Sequence, residues 1–305
     1  MKNKILMYEV ATLYYEKSYT QQQIADLMNL TRQTVSKLLS DAVTLKIVEI
    51  KINNPFTAKQ NLEEKISRMF NLKECKVAIS SSSEDSLKEL AISNVAINYI
   101  LPMIKNKSLK IGISWGKTIE TFINNLTGTN SSSIVFPLFG ATDRVNSFFR
   151  SNELARKFAS KINSEVNYAY FPYKPQKPKD VELFRHTNYY KNMQALWDNI
   201  DIAIVGIGNK DAISLLEKEF GIKNSNHPVS DISTHTFDIN GNLTSVDENT
   251  LCATYENIKN AKEVIAIAYG QNKVEAIISA LKSKIITRLI TDENTAISII
   301  NYLNC

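Results

Sequence analysis

The stretch TQQQIADLMNLTRQTVSKLLSD, residues 20–41, contains two short amphipathic segments separated by two residues that break the pattern. Thr20 precedes the first segment and is a residue type that caps helices. Ile24, Leu27 and Met28 follow at helical spacing, so that all three are expected on one inward face. The stretch therefore predicts a first short helix that packs against a second.

The turn and the second segment fit the same interpretation. Asn29 tolerates the left-handed backbone conformation of a tight turn, and Leu30 is expected to fill that turn from the inside. Thr31 is placed to cap the second helix, and Ala25 is small where two helices must cross closely. The inner stripe of the second helix is then Val35, Leu38, Leu39 and Ala42. These offsets predict a helix-turn-helix, with a plain helical hairpin that has a solvated polar face as the alternative.

The outward face of the second helix is short, polar and cationic, which suits the major groove of DNA. Arg32 and Gln33 lie near its start, where they are expected to read base edges. Thr20, Gln21 and Lys37 are expected to hold phosphates instead. The complete set of candidate DNA-contacting residues is Thr20, Gln21, Thr31, Arg32, Gln33, Thr34, Ser36 and Lys37.

The segments on either side extend this N-terminal domain. Residues 5–15 are predicted to form a supporting helix in which Tyr8, Tyr14 and Tyr15 pack rather than stack on bases. Residues 46–52 alternate apolar and polar side chains, which predicts a small wing or ribbon.

The sequence 53–56, Asn-Asn-Pro-Phe, breaks the pattern and marks a domain boundary. We therefore expect a DNA-binding domain over residues 1–54 and a larger domain over 55–305. A connecting helix is predicted near 59–70. The predicted strands after it are 76–80, 109–113, 133–138, 166–170, 200–205, 264–268 and 285–291. The predicted helices between them are 86–104, 116–126, 211–220 and 273–281.

This alternation predicts a Rossmann-like α/β domain with a mainly parallel sheet, whose ligands bind at the carboxyl ends of the strands. Three glycine-containing turns follow predicted strands, at residues 111–118, 136–142 and 204–209. The first opens a helix with free backbone N–H groups and the hydroxyls of Ser114 and Thr118, which suit a phosphate. Each turn alone fits a purely structural role equally well. Three together favour a small anionic ligand.

Composition excludes several other classes of protein. The formal net charge is +5, from 36 basic and 31 acidic residues, and residues 1–59 carry +3 of it, which is compatible with nucleic acid. No run of 18 apolar residues and no export signal is present, so a cytoplasmic protein is expected. Three cysteines without CxxC spacing and three scattered histidines predict neither a disulfide framework nor a metal site. No cofactor is expected.

Several short motifs together resemble one family. They are Tyr14-Tyr15, TQQQIA at 20–25, ISWG at 113–116 and LITDE at 289–293. On these, the chain resembles the SorC/DeoR-type sugar-binding transcriptional regulators over nearly its whole length. It is similar in particular to the deoxyribonucleoside regulator branch. That similarity lies in the helix-turn-helix at 13–39, VSDI at 229–232, FDING at 237–241 and AYGQNK at 268–273.

The resemblance implies a homo-oligomer, dimeric or usually tetrameric, that binds an operator and is controlled by a small phosphorylated sugar. The effector domain would resemble phosphosugar isomerases of the glucosamine-6-phosphate deaminase type, but would act as a sensor and not as an enzyme. By this resemblance Asp231 holds sugar hydroxyls and Lys273 faces the phosphate. The plain alternatives are that Asp231 only caps a turn and that Lys273 is solvated. The candidate effector-binding residues are Ser114, Trp115, Gly116, Lys117, Gly140, Ala141, Thr142, Gly206, Gly208, Asp231 and Lys273.

The sequence departs from the family pattern in the candidate pocket. The usual Gly-Gly of the second loop is Gly140-Ala141, and Ser230 replaces the usual glycine before the acidic residue. Phe139 stands where some deoxyribonucleoside regulators carry a lysine that forms a Schiff base with the sugar aldehyde. Because no imine forms without an amine, the effector is expected to bind noncovalently.

Two other functions compete with that of a sugar-responsive repressor. An active phosphosugar isomerase or deaminase needs a placed base near the sugar carbonyl, and no tight cluster of that kind is evident. A DNA-binding adaptor whose large domain only oligomerises would not be stabilised by any effector.

Overall fold

The computed structural model describes residues 2–49, 55–80, 84–142, 149–221, 227–245 and 248–304. The chain divides into two compact units, Met1–Thr57 and Ala58–Cys305. Each unit has buried apolar residues of its own. Among the described residues, no helix is both long and apolar enough to cross a membrane.

The first unit is helical. Its elements are α1 (Lys2–Ala11), a π-helical turn (Thr12–Glu16), α2 (Gln21–Met28) and α3 (Arg32–Thr44). Thr20 caps α2 in a capping box. The Thr20 hydroxyl accepts a hydrogen bond from the backbone N–H of Gln23, and the Gln23 side chain accepts one from the backbone N–H of Thr20. Asn29 has φ 52°, and the N–H of Leu30 donates to the carbonyl of Ala25 at 2.9 Å. Helix α2, the turn at Asn29 and helix α3 thus form the helix-turn-helix that the sequence predicts.

Some details of this unit were predicted wrongly. Leu27 is 60% exposed and Tyr8 is 62% exposed, so neither packs in the unit's core. Tyr15 is 44% exposed, whereas Tyr14 packs against the core. Residues 46–49 form a turn rather than a wing, because the N–H groups of Ile47 and Val48 both donate to the carbonyl of Ala42 at the end of α3. The remainder of the predicted wing, 50–52, lies outside the described residues, as do 53 and 54 at the predicted boundary.

From residue 55 the chain alternates helices and strands, as expected. The first elements are α4 (Pro55–Phe70), β1 (Glu74–Ala78), α5 (Asp85–Ile104), β2 (Lys110–Ile113), α6 (Lys117–Asn125), β3 (Ile134–Pro137), α7 (Ser151–Lys161) and β4 (Glu165–Val166). Next come α8 (Pro178–Arg185), α9 (Asn188–Trp197), β5 (Ile202–Gly206), α10 (Lys210–Phe220), β6 (Ser230–Ile232), β7 (His235–Phe237) and β8 (Leu243–Ser245). The last are α11 (Tyr255–Lys259), β9 (Glu263–Ile267), a 3-10 turn (Gln271–Lys273), α12 (Val274–Lys282), β10 (Arg288–Asp292) and α13 (Glu293–Asn304).

Seven strands form one parallel sheet in the order β1-β10-β9-β5-β2-β3-β4. Side chains of β5 alternate between its faces, with Ala203 and Val205 in one apolar cluster and Ile202 and Ile204 in the other. Burial on both faces explains why this strand reads as a continuous apolar run. From β2, the next strands of the chain, β3 and β4, are added toward one edge of the sheet. From β5, the strands β9 and β10 are added toward the opposite edge. The order therefore reverses between β2 and β5, where such sheets bind ligands.

The edge of the sheet and a second small sheet differ from the prediction. The predicted strand at 166–170 ends at Val166. The backbone of Ala169 is hydrogen-bonded to the side-chain amide of Asn152 and not to a neighbouring strand. Asn152 accepts from the Ala169 N–H at 2.9 Å and donates to its carbonyl at 3.0 Å. Strands β6, β7 and β8 form an antiparallel sheet that the sequence did not predict. The β6–β7 hairpin turns through Ser233 and Thr234, both with positive φ.

Candidate functional site

A cavity of about 350 Å³ lies at the point where the strand order reverses. Loops that follow β2 and β5 form two of its walls, the turn before α12 forms a third, and the β6–β7 hairpin completes it. The lining residues are Trp115, Gly116, Lys117, Thr118, Gly206, Ile207, Gly208, Asn209, Asp211, Ala212, Leu215, Asp231, Ser233, Asn272 and Lys273.

Two glycines shape the walls of this cavity. Gly116 caps α6 with φ 122°, a backbone conformation that L side chains rarely adopt. A side chain at Gly208 would place its Cβ 2.9 Å from the Cβ of Ala212 and 3.1 Å from Oδ2 of Asp231. Glycine at position 208 therefore lets the β6 strand approach the β5 loop, and the two backbones bond at Gly208 and Asp231.

Asn209 ties two walls of the cavity together. Its Oδ1 accepts from the N–H of Ala212 at 3.2 Å, which caps α10. Its Nδ2 donates to the carbonyl of Asn272 at 3.3 Å. One side chain thus starts a helix beside the cavity and links the β5 loop to the β9 loop.

Asp231 and Lys273 place one acidic and one basic side chain in the cavity lining. Burial is the largest influence on the pKa of Asp231 and raises it to about 7, against smaller lowering effects of the Thr234 N–H and of Lys273. Burial likewise lowers the pKa of Lys273, although Asp231 opposes this. For both groups the loss of hydration outweighs their mutual attraction.

Three residues of the cavity carry buried polar atoms without a protein partner. Within the part of the chain that the structure describes, four buried side-chain polar atoms make no hydrogen bond, and three of them are Trp115 Nε1, Asp231 Oδ1 and Ser233 Oγ. The fourth, Oγ1 of Thr291, belongs to a residue that does not line the cavity. Because buried polar groups are nearly always paired in folded proteins, this concentration makes the cavity the candidate site for a polar molecule.

The cavity brings together seven of the eleven candidate effector residues. They are Trp115, Gly116, Lys117, Gly206, Gly208, Asp231 and Lys273. Ser114 is buried behind them, and its N–H continues the sheet by donating to the carbonyl of Ile204 at 3.0 Å.

The second glycine turn lies elsewhere. Gly140 packs against backbone, since a Cβ there would be 2.6 Å from the carbonyl carbon of Pro172. Ala141 and Thr142 line a different cavity of about 930 Å³, and the Thr142 hydroxyl donates to the carbonyl of Phe149. A ligand role for Ser114 and for residues 140–142 stays a prediction.

Phe139 lies in an aromatic cluster rather than in the cavity wall. Its ring is 1% exposed and contacts the ring of Tyr173 edge to face, with centroids 5.6 Å apart. Trp115, Phe149, Leu216 and Phe220 complete the cluster. The position that would carry an imine-forming lysine is therefore filled by a tightly packed hydrocarbon ring.

Sequence reasoning missed some of the lining residues. Asn209 could have been found, because it stands two residues before the predicted helix 211–220 and is a good capping residue. Ser233 and Asn272 carried no such signal, since their place in the cavity depends on the hairpin and on the order of the strands.

The candidate DNA-contacting residues lie on or next to α3 and at the start of α2. Arg32, Gln33, Ser36 and Lys37 are exposed on α3. Thr31 and Thr34 are also exposed, but their hydroxyls bond to each other at 2.8 Å and cap the helix. Thr20 belongs to the capping box of α2, and Gln21 is half-buried.

Comparisons with known proteins agree with this architecture. Residues 54–301 match the model of the Sugar-bind family, described as a sugar-binding domain, and residues 9–44 match sigma-70 region 4. The sorbitol operon regulator of Klebsiella pneumoniae is 31% identical, over 95% of this chain and 96% of that protein. The chain belongs to the SorC/DeoR-type family of sugar-binding transcriptional regulators.

Other regulators are also similar to this SorC-type protein over nearly its whole length. The deoxyribonucleoside regulator of Bacillus subtilis is 26% identical over 98% of both chains. The crystal structure of the full-length K. pneumoniae SorC matches with a TM-score of 0.73 and 28% identity, covering 97% of this chain and 98% of that one. These relatives are transcriptional regulators and not enzymes, which decides against the isomerase or deaminase alternative. This SorC-type protein is accordingly a transcriptional regulator with a helix-turn-helix DNA-binding region.

Proposed function

We propose that this chain is a repressor of a sugar or nucleoside catabolic operon, released from its operator by noncovalent binding of a phosphorylated sugar. Residues 1–54 would bind DNA, and residues 55–305 would bind the effector and join subunits into a dimer or tetramer. The observation that carries the proposal is the set of unpaired buried polar atoms of Trp115, Asp231 and Ser233 around one cavity.

The cavity suits a molecule with one anionic end and one hydroxyl-bearing end. Lys273 is half-buried and lines the cavity, as does the start of α6 at Lys117 and Thr118. A helix N-terminus and a cation both favour a phosphate over a neutral group. Asp231 would instead accept hydrogen bonds from sugar hydroxyls, which a carboxylate does well.

Phe139 supports noncovalent binding. Its ring is buried against Tyr173, and the residue carries no amine that could form an imine with an aldehyde. Borohydride reduction in the presence of 2-deoxyribose 5-phosphate is therefore expected to leave position 139 without an adduct.

The experiment that tests the proposal is effector titration of the protein–operator complex. Relatives that regulate sorbitol, erythritol and deoxyribonucleoside genes suggest the panel, namely the phosphates of sorbitol, fructose, erythritol, ribose and 2-deoxyribose with the free compounds beside them. At least one phosphate is expected to release the operator, while its unphosphorylated form does not. Equal responses to both forms would contradict the phosphate assignment.

Replacing the cavity lysine sharpens that test. Lys273→Ala is expected to lose most of the effector response and to keep effector-free operator binding, because only the anion site is changed. Lys282→Ala is the matched control, since Lys282 is the last residue of α12, the helix that follows Lys273, and donates to the carbonyl of Ile239 away from the cavity. An effector response in Lys273→Ala as strong as in the control would overturn the assignment.

A further inference from the structure

Trp115 has an unusual position for a tryptophan. Its side chain is 7% exposed, and its ring stacks on Phe149 with centroids 4.8 Å apart and planes 25° apart. Phe149 in turn contacts Phe220 edge to face. This packing fixes the plane of the indole, so that its N–H points in one direction.

The indole N–H of Trp115 makes no hydrogen bond within the described protein. The chain's other tryptophan, Trp197, is also buried, but its Nε1 donates to the carbonyl of Pro137 at 2.9 Å. Buried tryptophan N–H groups usually have such a partner. Trp115 lines the cavity, so a bound molecule is the partner that its N–H lacks.

Ser233, in the β6–β7 hairpin, repeats this pattern in another part of the cavity lining. Its hydroxyl is buried and unpaired, and the residue lines the same cavity. It has φ 49° and is followed by Thr234 at φ 77°, in the tight turn between β6 and β7. A serine in this left-handed conformation costs energy that a glycine would avoid. The hydroxyl thus occupies a position that its backbone alone does not favour.

We propose that Trp115 and Ser233 select the effector by its hydroxyl groups. The Trp115 N–H donates to an oxygen of the sugar part, and the Ser233 hydroxyl pairs with a neighbouring one. The cavity would then take a polyhydroxylated phosphate and reject a phosphate with an apolar tail of the same size, because the apolar group leaves buried donors unpaired. This inference rests on the proposed function, since it specifies how that same cavity recognises its ligand.

The direct test needs no substitution. In the full-length protein with ¹⁵N-labelled tryptophan, two indole N–H signals are expected and are assigned with Trp197→Phe. The phosphosugar that binds most tightly in the panel above is the probe. On its addition the Trp115 signal is expected to move downfield, as hydrogen bonding does to an N–H, while the Trp197 signal stays in place.

Two variants give the size of the effect. Trp115→Phe keeps an aromatic ring against Phe149 but removes the donor, and Ser233→Ala removes the hydroxyl. Each is expected to weaken probe binding by about tenfold to a hundredfold in calorimetric titration. Thr291→Val is the matched control. Among the described residues, Thr291 carries the one unpaired buried hydroxyl that lies outside the cavity, so its removal should leave Kd unchanged.

The outcomes separate this inference from the proposed function. Probe binding with an unmoved Trp115 signal and an unchanged Kd in both variants would overturn the selective roles of Trp115 and Ser233 and leave the effector site standing. No binding by any phosphosugar of the panel would overturn both. A moved signal with weakened variants, whose folded structure is checked by circular dichroism, supports both.

Discussion

Asp231 combines an ionisable carboxyl group with almost complete burial, and this combination makes its protonation in the cavity depend on pH near neutrality. The carboxyl group is 2% exposed, and burial raises its pKa to about 7. Lys273 is too weakly coupled to cancel that effect. The folded protein therefore holds a proton on Asp231 at pH values where the unfolded chain has already released it.

The sign of the resulting pH dependence follows from this raised pKa. Protonation of Asp231 makes its full contribution to the free energy of unfolding below about pH 4. This contribution is lost as the pH rises through about 7. Asp231→Asn keeps the shape and removes the titration. Between pH 5 and 8, the free energy of unfolding of the wild type should fall by about 3 kcal/mol relative to that of the variant. Urea unfolding at both pH values measures this, and parallel curves would contradict it.

Helix α3 carries most of the residues that are predicted to contact DNA. It begins with a capped turn at Thr31 and buries Val35, Leu38, Leu39 and Ala42 on one side. Its opposite side is therefore held rigidly outward by the core of the unit. A recognition helix must present its side chains in this fixed way, because base edges are read by directional hydrogen bonds.

The exposed residues of α3 are expected to make two kinds of DNA contact, to base edges and to phosphates. Arg32→Ala and Gln33→Ala should each cost about 1–3 kcal/mol on the specific operator, because base contacts are lost. Lys37→Ala should weaken binding evenly on all sequences and lower the salt slope by about one unit. Lys65→Ala, an exposed charge on α4, is the control for net charge. Binding curves at several salt concentrations on specific and random DNA measure both effects. If all three variants bound DNA as the control does, α3 would be excluded as the recognition helix.

The whole molecule joins a small helical unit to a much larger α/β unit. The helix-turn-helix unit, Met1–Thr57, buries its own core, and its described residues include one candidate recognition helix, α3. One such helix contacts little DNA, whereas two copies read half-sites about 10 base pairs or a multiple apart. Tight operator binding is therefore expected to depend on subunits joined through the larger unit.

Truncation after Thr57 tests that dependence. The fragment is expected to fold, because its buried residues contact one another, but to bind the operator about 100-fold or more weakly than the full chain. Circular dichroism checks the fold, and gel-shift titration measures affinity. Full affinity in the folded fragment would show that one recognition helix suffices.

Features that depend on near neighbours in the chain could be predicted from the sequence. Thr20, Asn29 and Thr31 act within a few residues of their own positions, so that the helix-turn-helix could be read directly. The apolar strands β2, β5 and β9 could be predicted in the same way from their local pattern, as could the helices that follow them. Short strands without such a pattern, β6 to β8, were missed.

Which strand ends share a cavity depends on the order of the strands in the folded sheet. Three glycine turns looked alike in the sequence, but β2 lies beside β5, and the turn after β3 packs against Pro172 instead. Trp115, Asp231 and Lys273 are far apart in the chain and meet because of that strand order. Burial of Asp231, and with it a pKa near neutrality, also arises only there, because the loss of hydration is a property of the packed surroundings and not of the residue.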